Sequence, residues 1–245
     1  MSGRPDPLRI GVLTPHASPG PEEEFPAMAT GCLATRVVHV GPPGDPPTTP
    51  TVLRALTAAP VLDEAANVLL AEFIDAVAYA STTSAYVIGF DAELAMVSRL
   101  ATRLAVPVVS TCASAVQALR VLEVERVALI GAPWFDAELN ELGAAYFRSQ
   151  GFDVVFSRSA ELSQDPSRIE PTAVYEWTSQ HVGDEAQGIF IGGNGFRAAR
   201  AIEPLETAIG RPVLTSNQVL LWDLLTRTGV RCEIHGYGRL FAPGS

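Results

Sequence analysis

The sequence predicts an α/β protein of two similar domains, each a parallel sheet flanked by helices, with a ligand cleft between them. Three observations carry this. Short β-branched apolar runs alternate with longer helix-like segments. The runs are apolar throughout, as parallel strands covered on both faces are. The chain also repeats itself about half its length apart: "RIGVLTPHA" from Arg9 returns as "RVALIGAPW" from Arg126, and "VPVVSTCASAVQAL" from Val106 returns as "RPVLTSNQVLLWDLL" from Arg211.

In chain order, the first half offers strands "RIGVL" (9–13), "RVVHV" (36–40), "AVAYA" (76–80) and "VPVVS" (106–110). Helical segments are expected over 63–75, 91–104 and 113–121. The second half offers "RVALIG" (126–131), "DVVFS" (153–157), "GIFIG" (188–192) and "RPVLT" (211–215), with helices over 136–150, 170–182, 197–209 and 217–228. This pattern describes two pseudo-symmetric Rossmann-like (flavodoxin-like) domains, the first over 1–115 plus 217–245 and the second over 116–216. The Pro/Gly-rich stretch "VGPPGDPPTTP" (40–50) reads as a loop, either a lid or a plain surface connection. Ligands of open α/β sheets bind outside the carboxyl ends of the strands. "AYASTTSAY" (78–86) and "IFIGGNGFR" (189–197) hold that position in the two halves and are expected to face each other.

Composition narrows the chemistry. A chain of 245 residues that is 47% hydrophobic and 18% charged buries a sizeable core and is not disordered. The net charge of -10 would repel phosphate backbones, so nucleic acid is not expected as a partner. All 17 basic residues are Arg, which excludes Schiff-base, pyridoxal-phosphate and Walker A lysines. Cys32, Cys112 and Cys232 are odd in number and far apart, which argues against a disulfide framework. No apolar run reaches the roughly 18 residues of a membrane span, so no membrane partner is expected and the cytoplasm is the default location.

Each motif has two readings. Ser81, Thr82, Thr83 and Ser84 form either a helix cap or, with exposed N–H groups, a carboxylate site. Gly193, Asn194 and Gly195 form either a tight turn or a set of bare backbone donors for a carboxylate or enolate oxygen. "GGNGF" does not have the G-x-G-x-x-G spacing of a dinucleotide site. His16, after Pro15 in "TPHASPG", is either a proton carrier at the cleft or an ordinary loop histidine; the ordinary imidazole value, about 6.5, suits exchange at neutral pH. Trp134 either walls a pocket or packs in the core, and Cys112 is either a buried apolar thiol or lies near the cleft. No metal-ligand spacing links the histidines and cysteines, so no metal site is expected.

Together, "AYASTTSAYVIG", "IFIGGNGFR" and the tail "HGYGRLF" resemble the aspartate/glutamate racemase superfamily over nearly the whole chain, above all its maleate cis-trans isomerases and arylmalonate decarboxylases. The resemblance implies cofactor-free chemistry next to a carboxylate, using one or two cysteines. Its isomerase motifs resemble A-C-T-S and C-T-N-L-R, which fall here on Ala80-Ser81-Thr82-Thr83 and on Gly193-Asn194-Gly195-Phe196-Arg197. Ser81 and Gly193 therefore stand where the family carries cysteines. Thr82, Thr83 and the Gly193–Gly195 turn would bind substrate oxygens, Trp134 (or Phe135) and Pro15 would line the pocket, and Ser81 with His16 would handle protons. A serine hydroxyl is a far weaker acid than a thiol, which argues against two-cysteine racemisation and leaves decarboxylation or isomerisation through an enediolate-like state. The other outcome is a catalytically inactive relative that binds a carboxylate as sensor or carrier. The expected partner is a small carboxylate, and relatives leave room for a homodimer.

Overall fold

The computed structural model describes residues 6–16, 19–41 and 49–242. Residues 42–48 of the Pro/Gly-rich stretch lie outside them. The first half runs β1 (Leu8–Thr14), α1 (Pro21–Met28), β2 (Leu33–His39), α2 (Pro50–Thr57), α3 (Ala59–Leu70), β3 (Ala76–Tyr79), α4 (Thr82–Ile88), α5 (Phe90–Leu104) and β4 (Val108–Ser110). Next come α6 (Thr111–Val121), β5 (Arg126–Gly131), α7 (Ala137–Ser149), β6 (Asp153–Ser159), α8 (Pro171–His181), β7 (Gly188–Ile191), α9 (Ile202–Ile209), β8 (Val213–Thr215) and α10 (Ser216–Thr228).

Both sheets are four-stranded and parallel, ordered β2-β1-β3-β4 and β6-β5-β7-β8. The two orders are the same, so the internal repeat of the sequence is a repeat of topology. β3, β4, β7 and β8 are buried along their whole length, which is why their sequences do not alternate. The edge strands β2 and β6 carry the polar residues Arg36 and Arg158 and are largely half-buried or exposed.

All eight expected strands form, but the helices differ in instructive places. α3 begins four residues earlier than expected, with Pro60 in its first turn, and ends at Leu70, which is exposed, as is Phe73 beyond it. The helix expected over 197–209 starts as a 3-10 turn (Ala199–Ala201), because Arg197 sits at φ 53 and breaks the helical path. α1 carries a proline inside it, and α4 has only seven residues; neither shows a clear helical period in sequence.

One apolar core spans both halves, and a second cluster around Leu62, Tyr79 and Leu100 lies within the first half. α10 packs on α6 and on β3 and β4, and α4 packs on α7. Tyr86 of α4 lies edge-on to Phe135 and Phe147, and a Cβ at Gly143 would come within 2.6 Å of its ring, so glycine is needed there for α7 to close on α4. Such aromatic pairs are worth roughly 1 kcal/mol each beyond their burial. Glu93 of α5 accepts hydrogen bonds from the Tyr146 hydroxyl of α7 and from the Cys112 and Ala113 backbone N–H groups at the start of α6. The tail motif is structural. Gly236 and Gly238 have φ of 84° and 80°, and the Arg239 N–H donates to Glu206 of α9 at 2.8 Å. A Cβ at Gly238 would come within 2.5 Å of Ile202. No helix among the described residues is long and apolar enough to cross a membrane.

Candidate active site

At the carboxyl end of β3 the backbone stays extended through Ser81 (φ -155°, ψ 102°) and then turns into α4. Ser81 Oγ accepts the Ser84 N–H at 3.2 Å, so the helix-cap reading holds for this residue. It also makes contacts beyond a cap. Ser81 Oγ donates to Ser84 Oγ (2.8 Å), which accepts from the Tyr79 hydroxyl as well (3.1 Å). His16 Nε2 lies 3.2 Å from Ser81 Oγ. With its one proton on Ser84, Ser81 can only accept from His16, so Nε2 is the donor in this arrangement.

The fold places His16 there through β1, which lies beside β3. Thr14 Oγ1 donates to the Ala80 carbonyl (3.1 Å) and accepts the His16 N–H (3.3 Å), while His39 Nδ1–H donates to the His16 carbonyl (3.0 Å). Pro15, buried between Thr14 and His16, restricts the backbone of that loop.

The turn after β7 is built differently. Gly193 has φ 110°, Asn194–Phe196 form a 3-10 turn, and Arg197 is left-handed. The Gly193 N–H is shared between Thr82 Oγ1 (3.1 Å) and Ser216 Oγ (2.9 Å), and these two hydroxyls meet at 2.9 Å. Asn194 Oδ1 accepts the Thr82 N–H (3.1 Å) and Thr82 Oγ1 (3.2 Å); its Nδ2 donates to Asn217 Oδ1 (2.8 Å) and Thr111 Oγ1 (3.3 Å). The residues contributed by the two halves thus meet in one buried polar network.

Ser81, His16, Thr82, Gly193 and Asn194 are therefore brought together, and Gly195 is buried in the same turn. The Thr83 hydroxyl is buried with no partner among the described residues. Phe135 borders Gly193, where a Cβ would lie 3.6 Å from its ring, whereas Trp134 packs edge-on against Phe196 at 6.1 Å. Cys112 is buried and also lies directly beside the site residue Thr82. Its thiol is fully buried, 3.7 Å from the Thr82 carbonyl, and burial pushes it well above the ordinary thiol range. A side chain at Gly193 would put its Cβ 2.8 Å from Ala132 Cβ, on a backbone that only glycine adopts readily. His181 is spent elsewhere, stacked on Trp177 at 4.3 Å. Among the described residues no group of three or more His, Cys, Asp or Glu could hold a metal ion.

Sequence reasoning missed Thr111, Ser216, Asn217 and Glu24. The repeat held a signal for two of them. "VVSTCAS" and "VLTSNQV" both end a strand in paired hydroxyls, which aligns Thr111 with Ser216 as the residues that begin α6 and α10.

A buried polar network joining two topologically identical parallel-sheet halves defines a class of two-domain α/β protein. Within it, this chain belongs to the arylmalonate decarboxylase family, whose sequence profile matches residues 59–241. It is 28% identical over 157 residues to the arylmalonate decarboxylase of Bordetella bronchiseptica, covering 62% of this chain and 64% of that relative, just under two thirds of its length. Unliganded arylmalonate decarboxylase superposes with a TM-score of 0.80 at 22% identity, covering 96% and 98% of the two chains. The maleate isomerase Iso of Pseudomonas putida superposes at 0.86 and 20%, with the same coverage. A Nocardia farcinica maleate cis-trans isomerase mutant carrying a covalent succinylcysteine intermediate gives 0.85 at 22%, covering 97% and 99%. At these identities the structural likenesses establish the shared fold.

Proposed function

We propose that the protein is a cofactor-independent enzyme that binds a small carboxylic or dicarboxylic acid in this cleft and acts through an enediolate-like state. Decarboxylation of a malonate-type acid fits the residues best. The relatives named as arylmalonate decarboxylases and maleate isomerases support the substrate class. The observation that carries the reading is the His16–Ser81 contact at 3.2 Å, at the strand end where the resemblance places a cysteine. Thr82, Thr83 and the Gly193–Gly195 turn hold the carboxylate that stays. Loss of the other carboxylate as carbon dioxide breaks one C–C bond and leaves its electron pair on the α-carbon, delocalised into the bound carboxylate as an enediolate. The imidazolium form of His16 then supplies the proton beside Ser81, and solvent reprotonates the ring. Isomerisation by cysteine addition is disfavoured, since neither Ser81 nor Gly193 offers a thiol and Cys112 is buried beneath Thr82.

The absence of a thiol at both Ser81 and Gly193 favours a second, non-catalytic reading. In either reading a ligand would have to displace Asn194 or Ser216 to use the Thr82 and Gly193 N–H groups, which already have internal acceptors. Incubation with phenylmalonate, malonate, maleate and aspartate in heavy water separates the two. Carbon dioxide release with one deuteron on the product α-carbon is expected from phenylmalonate. Saturable binding without exchange or turnover across the panel would leave a carboxylate sensor or carrier.

A further inference from the structure

Nothing in "PEEEFPAM" sets Glu24 apart from Glu22 and Glu23, yet Glu24 alone of the three is buried, at 8% exposure. Both of its oxygens are engaged from the other half of the chain. Oε1 accepts the Ala199 N–H at 2.8 Å, and Oε2 accepts Asn217 Nδ2 at 2.7 Å. Asn217 Nδ2 also donates to the Asn194 carbonyl (2.8 Å), and Asn217 Oδ1 accepts from Asn194 Nδ2 (2.8 Å). A primary amide has a donor end and an acceptor end, so each link dictates the next. The carboxylate holds the donor end of Asn217 toward itself. That turns the acceptor end of Asn217 to Asn194 Nδ2, and leaves Asn194 Oδ1 facing the Thr82 N–H at 3.1 Å. Flipping Asn217 would set its oxygen against a carboxylate.

We propose that Glu24 is a positioning residue for the substrate carboxylate: through Asn217 it sets which face Asn194 presents to Thr82. The proposal rests on the reading of Thr82 and the Gly193–Gly195 turn as the carboxylate site. Glu24 also lines a cavity of about 290 Å³ with Glu23, Glu170, Arg197, Arg200 and Tyr237, where Arg197 pairs with Glu23. Burial raises the Glu24 carboxyl to about 7, against the hydrogen bonds from Asn217 and Ala199 and the charge of Arg197, while Glu23 adds to the rise. Protonation turns one acceptor oxygen into a donor, so the amide chain is held above that pH and released below it. The stability sign is opposite. The folded state binds this proton more tightly than the unfolded chain, so the wild type loses stability relative to Glu24→Gln as pH rises from 4.5 to about 7.

The test follows the Asn194 and Asn217 side-chain amide resonances by NMR from pH 5 to 8 (roughly the span over which such a carboxyl titrates), together with phenylmalonate affinity at each pH. In the wild type both amides should shift with one midpoint near that of Glu24; in Glu24→Gln the midpoint should vanish and, because Asn194 Oδ1 is no longer held on the Thr82 N–H that a ligand must use, affinity at the upper end should rise on the order of tenfold. Asn217→Ala should show the same affinity gain, and adding Glu24→Gln to it should change nothing more. Additive gains, a loss of affinity in either variant, or wild-type amides that ignore pH, overturn the proposal. If the amides titrate as expected but no carboxylate in the panel binds, the Glu24–Asn217–Asn194 link stands and the carboxylate-site reading is what fails.

Discussion

The turns after β3 and β7 occupy equivalent places in the two halves and solve the same problem in opposite ways. After β3 the backbone is ordinary, an extended N-cap leading into a helix, and the polar groups presented are side chains: Ser81, Thr82 and, from the loop after β1, His16. After β7 the backbone itself is unusual, with Gly193 at φ 110° and Arg197 at φ 53°, and one amide side chain, Asn194, ties it to the other half. The two halves thus share a topology while their strand ends differ, and in the proposed function one end handles protons while the other offers backbone donors. Substitutions after β3 should therefore cost activity more than stability, and those after β7 the reverse.

The sharpest way to break that contrast is His16→Ala. Phenylmalonate turnover should fall about a hundredfold, the usual worth of a positioned proton donor, with thermal unfolding little changed. Retained turnover would remove the chemistry from the β3 side. The next largest effect is Gly193→Ala. Its Cβ meets Ala132 at 2.8 Å on a backbone unsuited to any side chain, so denaturant unfolding should show a loss of about 2 kcal/mol. By the same reasoning Gly193→Cys should be as damaging, whereas Ser81→Cys, at a position already built for a side chain, should fold normally. The smallest effect is Ser81→Ala, which removes the α4 cap and should cost about 1 kcal/mol in the same unfolding measurement. A larger stability loss for Ser81→Ala than for Gly193→Ala would invert the comparison.

The strands other than β2 and β6 were legible because burial on both faces leaves a continuous apolar run that needs no partner to be recognised. α4 was not, since seven residues that include Thr82, Thr83, Ser84 and the β-branched Val87 and Ile88 carry no helical period; the segment is helical because Ser81 caps it and Tyr86 anchors it on α7. The motif residues Ser81, Thr82, Gly193 and Asn194 stood out as clusters of small polar groups at strand ends. Glu24 and Asn217 did not. One is a single member of an acidic run in a helix interrupted by proline, and the other is an ordinary residue in the first turn of α10.

By itself the sequence determined the two parallel sheets, their repetition and the two polar turns, because apolar runs, glycines and hydroxyls act locally on the backbone beside them. Only the tertiary structure decided that His16 meets Ser81, 65 residues away, and that Glu24 reaches Asn217 across 193. Those pairings depend on which strand lies beside which and on how one half closes over the other, and no local pattern encodes the direction in which a side chain crosses that gap.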